Sequence, residues 1–442
     1  MPLKLLVLGS LSVAGLSVIF HLYSPLLFEM FDDLPQTSSP KSTGVSPKIV
    51  EKLKFVVVGC EVAFNHKDIM KEAAPRINGV GVPYYRLTYY VLDDTIEMIF
   101  SKNGKTWLNR SAVEAVRRSD LFIGNSVIIN KKCVTVTAYS NAGTLQAVEA
   151  GRQSTFAMIK PDAMSQLGSV LSELTEQRLK LRIAGLRLLQ LTTAQARHLY
   201  NEHQERPFFK SLVAYITSGP VLALHLTGPG AVGRWREALG PTDSAVARTS
   251  APNSIRAKFG TDKQINAAHG SDSVAAAHRE LSLMFPEWDV SDRLPSLGSD
   301  AEMVDALSCL VLPHVIKSGQ LGALLTSLRE QHNSEPGKAE MVRLNLLDAA
   351  RYATGQLLPQ EKSSELQETI NELVSGPSLF IRLKSLAPDE AATDFAIRFK
   401  NIIGPTNPVK ARQSAVESIR AMFGINEYRN ALLCPLYDWN KN

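Results

Sequence analysis

A histidine stands in the segment NAAHGSDS, residues 266–273. A neutral imidazole is a nucleophile when an acceptor holds a proton on one ring nitrogen and leaves the other nitrogen's lone pair free. Glu280, eleven residues after His269, is the candidate acceptor. Three basic residues could bind phosphate groups, with arginine offering paired donors to phosphate oxygens: Lys160, Arg236 and Arg256. These residues together predict phosphate chemistry at His269.

The other common phosphate motif, a loop of the form G-x-x-x-x-G-K-[ST], is incomplete in this chain. Gly104, Lys105 and Thr106 match its end, but Ile99 stands where the first glycine is required. Without that glycine the cradle of backbone N–H groups is missing. We therefore interpret this stretch as a turn between two strands.

The segments around His269 predict a mixed domain of strands and helices. A helix is indicated by apolar residues at the i, i+3, i+4, i+7 spacing, from Leu167 to Leu174. A strand with a slip at Ala184-Gly185 covers residues 181–191. Further strands are predicted at 154–159 and 220–226, a helical run ends near Gly240, and a long loop precedes a final helix from about Ser273.

A second copy of this unit follows. GPT at 240–242, SIR at 254–256, FG at 259–260 and Asn266 all recur 164 residues later. The copy differs where chemistry would occur, because Leu312, Lys400 and Leu433 replace Lys160, Arg236 and His269, whereas Thr406, Arg420 and Asn430 remain. Leucine has no lone pair, so the copy cannot form a covalent phosphate adduct at this position.

Upstream of both copies, short β-branched and aromatic runs predict a small all-β domain, with turns at Asp93-Asp94, Asn103-Gly104 and Lys131-Lys132. Residues 32–48 are rich in Ser, Thr and Pro and indicate a linker. Residues 5–28 contain no Asp, Glu, Lys or Arg and are long enough to span a bilayer. A membrane anchor, a helix buried against a partner and an upstream start outside the working protein all remain open for this segment.

The organisation expected from these patterns is as follows: an apolar segment at 1–30, a disordered linker at 31–50, the β domain at 51–150, the first α/β copy at 152–290, a linker at 291–304 and the second copy at 305–442. The length of 442 residues agrees with about three domains. The net charge of +5 is mild and without clustered runs, so we expect no nucleic-acid partner. The four cysteines have no metal-ligand or redox spacing, and we expect no protein metal site.

The first copy resembles the nucleoside diphosphate kinases. The resemblance is carried by FAMIKPDA (156–163), RPFF (206–209), SGP (218–220), the stretch from GPT to SIR (240–256) and NAAHGSDS. It implies an α+β chain with two ferredoxin-like βαββαβ domains. It also implies that His269 takes the γ-phosphate of ATP or another nucleoside triphosphate and passes it to a nucleoside diphosphate. Mg²⁺ would arrive bound to the nucleotide.

The resemblance also implies roles for single residues. Ser271 and Glu280 would orient His269, and Tyr200 would support the site. Phe208 would stack on the base. The remaining residues would contact the sugar and phosphates: Lys160, Arg236, Thr242, Arg256 and Asn266. The loop between Thr242 and Arg256 is a few residues longer than in the housekeeping enzymes, which sets the domain nearer to divergent homologues.

The β domain resembles a DM-ten domain through TIEMIFSKNGKTWLNRS and DLFIGNSVIINKKCVTVTAY. A DM-ten domain followed by two kinase domains, the second degenerate, resembles the seventh-homologue type of the family. That type implies tubulin as a partner, in axonemal microtubules or a γ-tubulin complex, and a location in cilium, flagellum or cytoplasm. The apolar segment at 5–28 departs from this type and leaves a membrane location open.

Two functions follow that do not exclude each other, and we favour a microtubule-associated protein of the axoneme whose first copy keeps the catalytic residues. In the first, the chain is a kinase that uses His269, and its second copy is either a packing unit or a weak nucleotide binder. In the second, the chain is a structural microtubule-binding protein with vestigial activity or none.

Overall fold

A computed structural model describes residues 52–59, 84–113, 116–122, 125–130, 132–149, 152–286, 308–344, 348–350, 352–353 and 363–434, all of which belong to one compact unit. The apolar segment at 5–28 and the linkers expected at 31–50 and 291–304 lie outside these residues. Within the described residues, no helix is long and apolar enough to cross a membrane.

The N-terminal domain is built on a six-stranded antiparallel sheet with the order β4-β3-β2-β1-β6-β5. Its strands are β1 (Lys52–Gly59), β2 (Tyr84–Tyr90), β3 (Thr95–Phe100), β4 (Thr106–Ala112), β5 (Ser126–Ile129) and β6 (Lys132–Tyr139). Alternate residues of β1, namely Leu53, Phe55 and Val57, are fully buried, as the period of two in a half-buried strand requires.

The expectation of an all-β domain is wrong in one element, because helix α1 (Ala142–Glu149) packs on β1 and β6. The sequence pattern also missed β4. This edge strand is partly exposed on both faces and lacks the apolar alternation that marks a half-buried strand. Gly104 and Lys105 lie between β3 and β4, so the incomplete phosphate motif is a turn.

The first α/β domain contains four strands in the order β10-β7-β9-β8, each antiparallel to its neighbours. In chain order this is 4-1-3-2, the strand order of a ferredoxin-like βαββαβ sheet. The strands are β7 (Gln153–Ile159), β8 (Arg182–Leu189), β9 (Val221–Gly228) and β10 (Ala268–Gly270). The slip expected in β8 is confirmed, because the pairing register shifts between Ile183 and Gly185.

Helices complete this domain: α2 (Leu167–Ser172), α3 (Glu176–Leu179), α4 (Thr193–Leu199), α5 (Phe209–Ile216), α6 (Ala231–Leu239), α7 (Ser244–Ser250), α8 (Ile255–Phe259) and α9 (Val274–Met284). The expected long loop after Gly240 is wrong in part, since α7 and α8 form there. Both are short, and side chains cap them, with Asp243 accepting from Ala245 N and Ser254 from Ala257 N.

The second α/β domain repeats this order as β12-β13-β11-β14. Its strands are β11 (Ser308–Val311), β12 (Ser334–Val342), β13 (Ser378–Ser385) and β14 (Leu432–Leu433). Its helices are α10 (Pro313–Lys317), α11 (Leu321–Glu330), α12 (Ser363–Val374), α13 (Ala392–Ile403), α14 (Pro408–Ser414) and α15 (Ile419–Phe423).

The two α/β domains join through one sheet and one helix pair. Strand β12 pairs with β8 at Glu340 and Arg187, and the Arg187 guanidinium donates to Glu340 Oε1 over 2.9 and 2.6 Å. Helix α2 crosses α11 where two glycines meet. A Cβ on Gly168 would lie 2.6 Å from Gly322 O, and one on Gly322 would lie 2.5 Å from Gly168 O. Only glycine permits this approach, and one apolar core runs through both domains.

Alanine at position 168 should therefore destabilise the chain. Its Cβ would also lie 2.5 Å from the backbone nitrogen of Thr326, and such overpacking costs about 1–3 kcal/mol. Gly233, near the start of α6, has open space around it, so Gly233→Ala should raise stability by about 0.5–1 kcal/mol. The midpoint of thermal unfolding compares the two variants. Equal stabilisation by both substitutions would show that the helices do not cross at this distance.

Candidate active site

The backbone at the end of β7 fixes the distance between the candidate lysine and the candidate histidine. His269 in β10 lies opposite Met158 in β7. Lys160 N then donates to Ala267 O over 2.8 Å. Ala267 adopts a left-handed conformation with φ 69°, and its N–H donates to Asp162 Oδ2 over 2.9 Å. Lys160 and His269 are thus held at one edge of the sheet.

Lys160 is buried and holds the loop that precedes the histidine. Its Nζ donates to Asn266 Oδ1 over 2.6 Å and to Gln264 O over 3.1 Å. The Asn266 amide in turn donates to Thr242 O and Lys263 O, over 3.0 and 2.8 Å. Burial, with a contribution from the positive charge of Arg256, lowers the pKa of Lys160 to about 8. An anion placed here would stabilise the ammonium.

The carboxylate of Glu280 orients the imidazole of His269. Glu280 lies on α9 and is 2% exposed, and its Oε2 lies 3.2 Å from His269 Nε2. The same oxygen accepts a hydrogen bond from Ser271 Oγ over 2.6 Å. Because a carboxylate only accepts, Nε2 carries the proton in this network, and Nδ1 is left with its lone pair. Nδ1 is therefore the nitrogen available as a nucleophile.

Two buried donors near His269 have no acceptor among the described residues. Arg256 donates through its two terminal nitrogens to Gly240 O and Ala268 O, over 3.0 and 3.2 Å, but its Nε has no partner. The hydroxyl of Tyr200 is also buried without a partner, and its ring meets the His269 ring edge-on at 5.6 Å. Such orphaned donors are rare in folded proteins, and a bound phosphate would satisfy them.

The electrostatics of these two residues agree with an unfilled anion site. Burial and the positive charge of Arg236 lower the pKa of Arg256 to about 10. Burial and the negative charge of Glu280 raise the pKa of the Tyr200 phenol, so it stays a donor at neutral pH. A cation whose charge is destabilised and a neutral phenol both favour an incoming anion.

Three expected site residues lie further out. Arg236 and Thr242 are exposed, at the end of α6 and just after it. Phe208 is 46% exposed, and its ring lies 5.7 Å from that of His203, which stacks on Tyr200 at 6.3 Å. None of the three contacts His269 in the described interactions. All three side chains are exposed to solvent.

Three residues that help to form the site were not anticipated from the sequence. The Trp235 indole donates to His269 O over 3.1 Å and fixes the backbone of β10. Asp162 bonds both the Ala267 amide and the Tyr215 hydroxyl. The ring of His203 lies between those of Phe208 and Tyr200, at 5.7 and 6.3 Å from them. Asp162 and Trp235 could have been found from the sequence, because each lies within two residues of a candidate phosphate-binding residue.

The second copy has the same backbone arrangement as the first, but it lacks the side chains that would carry out the chemistry. Leu433 lies opposite Leu310, and Leu312 N donates to Ala431 O over 3.0 Å. Arg420 is 2% exposed and donates to Leu432 O over 2.8 and 3.1 Å. Asn430 is fully buried, and neither of its amide atoms has a partner among the described residues. Leucine at position 312 removes the ammonium that such an asparagine binds in the first copy.

Comparison with known proteins identifies the family of this chain. Residues 153–290 match the family model described as nucleoside diphosphate kinase. The chain is 34% identical over 350 residues to nucleoside diphosphate kinase homolog 7 of Mus musculus, covering 79% of this chain and 84% of that protein. It is 44% identical over 140 residues to the nucleoside diphosphate kinase of Aquifex aeolicus, covering 31% and 97%. A crystal structure of the Aquifex aeolicus enzyme aligns with 45% identity, covers 30% of this chain and 95% of that one, and has a TM-score of 0.29.

The first α/β domain, with its ferredoxin-like strand order and its histidine held by a buried carboxylate, is a nucleoside diphosphate kinase domain. The chain as a whole belongs to the nucleoside diphosphate kinase family, and within it to the homolog 7 type.

Proposed function

We propose that the first α/β domain transfers the γ-phosphate of a nucleoside triphosphate to a nucleoside diphosphate through phosphorylated His269. The observation that carries this proposal is the pairing of a free Nδ1 with two buried donors, Arg256 Nε and the Tyr200 hydroxyl, that lack acceptors. A nucleophile beside unsatisfied donors suits a group that develops negative charge on its oxygens.

The first half of the reaction is an in-line displacement. The Nδ1 lone pair attacks the γ-phosphorus, and the bond from that phosphorus to the β–γ bridging oxygen breaks. The nucleoside diphosphate leaves with that electron pair. The imidazole becomes positively charged while keeping its Nε2 proton, and the carboxylate of Glu280 stabilises this charge.

In the second half, a terminal β-phosphate oxygen of the acceptor diphosphate attacks the phosphorus, and the P–N bond breaks. The electron pair returns to Nδ1, so the neutral imidazole is restored. Lys160 and Arg256 stabilise the phosphate oxygens in both halves, and Ser271 keeps Glu280 in place. Mg²⁺ bound to the nucleotide would neutralise part of the phosphate charge.

The outer residues complete the nucleotide site in this proposal. Arg236 and Thr242 would contact the phosphates from the exposed end of α6. Asn266 holds Lys160 towards the sugar and phosphates. Phe208, whose ring is half exposed, offers a flat apolar surface for the base. The described residues contain no group of three His, Cys, Asp or Glu that could hold a metal ion.

For the second copy we propose a structural role. Its arginine is bound to backbone carbonyls, and leucines occupy the positions of the lysine and the nucleophile. Its strand β12 and helix α11 hold the first copy. For the whole chain, the seventh-homologue resemblance suggests tubulin as a partner, in the axoneme or in a γ-tubulin complex. Co-sedimentation of the full chain with doublet microtubules tests it, and a chain wholly in the supernatant would contradict it.

The kinase proposal is tested by the conversion of GDP to GTP with ATP as donor. His269→Ala should abolish turnover, and Glu280→Gln should slow it by about tenfold or more, because the imidazolium loses its counter-charge. His278→Ala is the matched control, because this histidine is exposed on the same helix as Glu280. Turnover that survives His269→Ala, or is absent in the wild type, would contradict the proposal.

The lowered pKa of Lys160 predicts how ADP affinity depends on pH. Below about 8 the ammonium is present and binds phosphate, and above it the charge is lost. Bound phosphate raises this pKa, so affinity should be level from about pH 7, where ADP is ionised, to about pH 8, and fall by up to about tenfold per pH unit above it. Calorimetric titration with ADP, without Mg²⁺, measures this.

Lys160→Gln is the control for that titration, because it should bind ADP weakly and with no pH dependence in the same range. A wild-type affinity that stays constant from neutral pH to well above pH 8 would show that Lys160 does not bind the phosphates.

A further inference from the structure

Two cysteines that are distant in the sequence face each other in the sheet of the second copy. Strand β11 pairs with β14 so that Leu310 lies opposite Leu433. The next pair in this register is Cys309 and Cys434. Residues directly opposite each other in an antiparallel pair project from the same face of the sheet. The two cysteine side chains are therefore neighbours on one face.

The hydrogen-bond pattern of the two strands sets how closely the backbones approach at this pair. Leu312 N donates to Ala431 O, and hydrogen-bonded and non-hydrogen-bonded pairs alternate along antiparallel strands. Cys309 and Cys434 are three pairs further on, so they form a non-hydrogen-bonded pair, in which the Cα atoms are typically about 4.5 Å apart. A disulfide spans about 4.4–6.8 Å between Cα atoms. The backbone thus holds the two cysteines within the range that a disulfide requires.

The two cysteines are buried under a short outer strand. Both are thiols in this structure, and Cys309 is 1% exposed and Cys434 fully buried. Both belong to the apolar core that runs through the two kinase domains. Strand β14 contains two residues and is the outermost strand of its sheet. So short an edge pairing opens more readily than the long pairing of β12 with β13, and its opening gives an oxidant access to the sulfurs.

The first copy carries no thiol at the matching positions. Its equivalent pair is Ala157 and Gly270, opposite each other in β7 and β10. A Cβ on Gly270 would lie 2.5 Å from Trp235 Nε1, so the indole excludes any side chain there. In the second copy Phe399 takes the place of Trp235, 164 residues later. A phenyl ring is smaller than an indole, and the side chain of Cys434 is accommodated and buried.

We propose that Cys309 and Cys434 form a reversible disulfide that fastens β14 to β11. The oxidant is a small disulfide such as oxidised glutathione. The Cys434 thiolate attacks one sulfur of the oxidant, and one glutathione thiolate leaves. The Cys309 thiolate then attacks the Cys434 sulfur of this mixed disulfide, and the second glutathione thiolate leaves. The two cysteine protons pass to the two glutathione thiolates, so two thiols are oxidised while one disulfide is reduced.

This disulfide acts on the stability of the second copy. It closes the chain between β11 and β14, a segment that contains β12, β13 and the helices from α10 to α15. A crosslink across so long a segment removes many conformations from the unfolded state and so favours the folded state. Strand β12 and helix α11, which hold the first copy, lie within this segment. Oxidation therefore strengthens the part of the chain on which the first kinase domain is assembled.

The test is treatment of the full, folded chain with oxidised glutathione, followed by thiol alkylation in denaturant and peptide mass spectrometry without reduction. We expect one pair of linked peptides, containing Cys309 and Cys434, that dithiothreitol separates. The midpoint of thermal unfolding should rise by about 3 °C or more on oxidation and return to its starting value on reduction.

Two variants, each lacking one cysteine, separate this pair from the other thiols. Cys309→Ala should lose both the linked peptides and the oxidant-dependent rise in the midpoint. Alanine is the residue of the first copy at this position, so the variant should fold. Cys133→Ala, on β6 of the β domain, is the matched control and should keep both the link and the rise.

Full alkylation of both cysteines after oxidation would overturn the proposal, and so would glutathione adducts on either cysteine without a link between them. A link that forms only when the chain is unfolded before oxidation would show that the fold does not bring the sulfurs together. A link that leaves the midpoint unchanged would contradict the fastening role. The conversion of GDP to GTP does not use these cysteines, so failure of the kinase proposal leaves this one standing.

Discussion

The site depends on one backbone arrangement, the pairing of β7 with β10 closed by the hydrogen bond from Lys160 N to Ala267 O. The left-handed turn at Ala267 ends the loop and starts the short strand that carries His269. The second copy repeats both features, with Leu312 N on Ala431 O and φ 76° at Ala431. This backbone arrangement therefore forms whether or not the reactive side chains that it positions in the first copy are present.

Those side chains lower the stability of the first copy, and the second copy has no equivalent destabilisation. A buried ammonium, a guanidinium beside another cation and a phenol without an acceptor all oppose stability unless an anion arrives. Such groups are tolerated at sites where binding compensates them. In the second copy the lysine position is apolar and buried, and its strand and helix hold the first copy. Binding groups and packing surface have thus been divided between two similar folds.

Much of this could be anticipated from the sequence, for identifiable reasons. The periodicities located the strands and helices of the α/β domains, and the glycine in β8 marked the register shift. Local patterns failed where contacts are long-range or partly solvated. The exposed edge strand β4, helix α1 and the capped helices α7 and α8 were missed for this reason. The pairing of Arg187 with Glu340 and the bond from Trp235 to His269 O depend on tertiary assembly. No local pattern encodes them.

The central claim is that Glu280 holds the Nε2 proton and leaves His269 Nδ1 to carry the phosphate. Nuclear magnetic resonance of the full chain, labelled with ¹⁵N at histidine and treated with ATP and Mg²⁺, tests it most directly, because couplings to ³¹P identify the phosphorylated nitrogen. We expect one phosphohistidine signal, on Nδ1, that is absent from His269→Ala. Phosphate on Nε2, or a phosphohistidine signal that persists in His269→Ala, would contradict the claim.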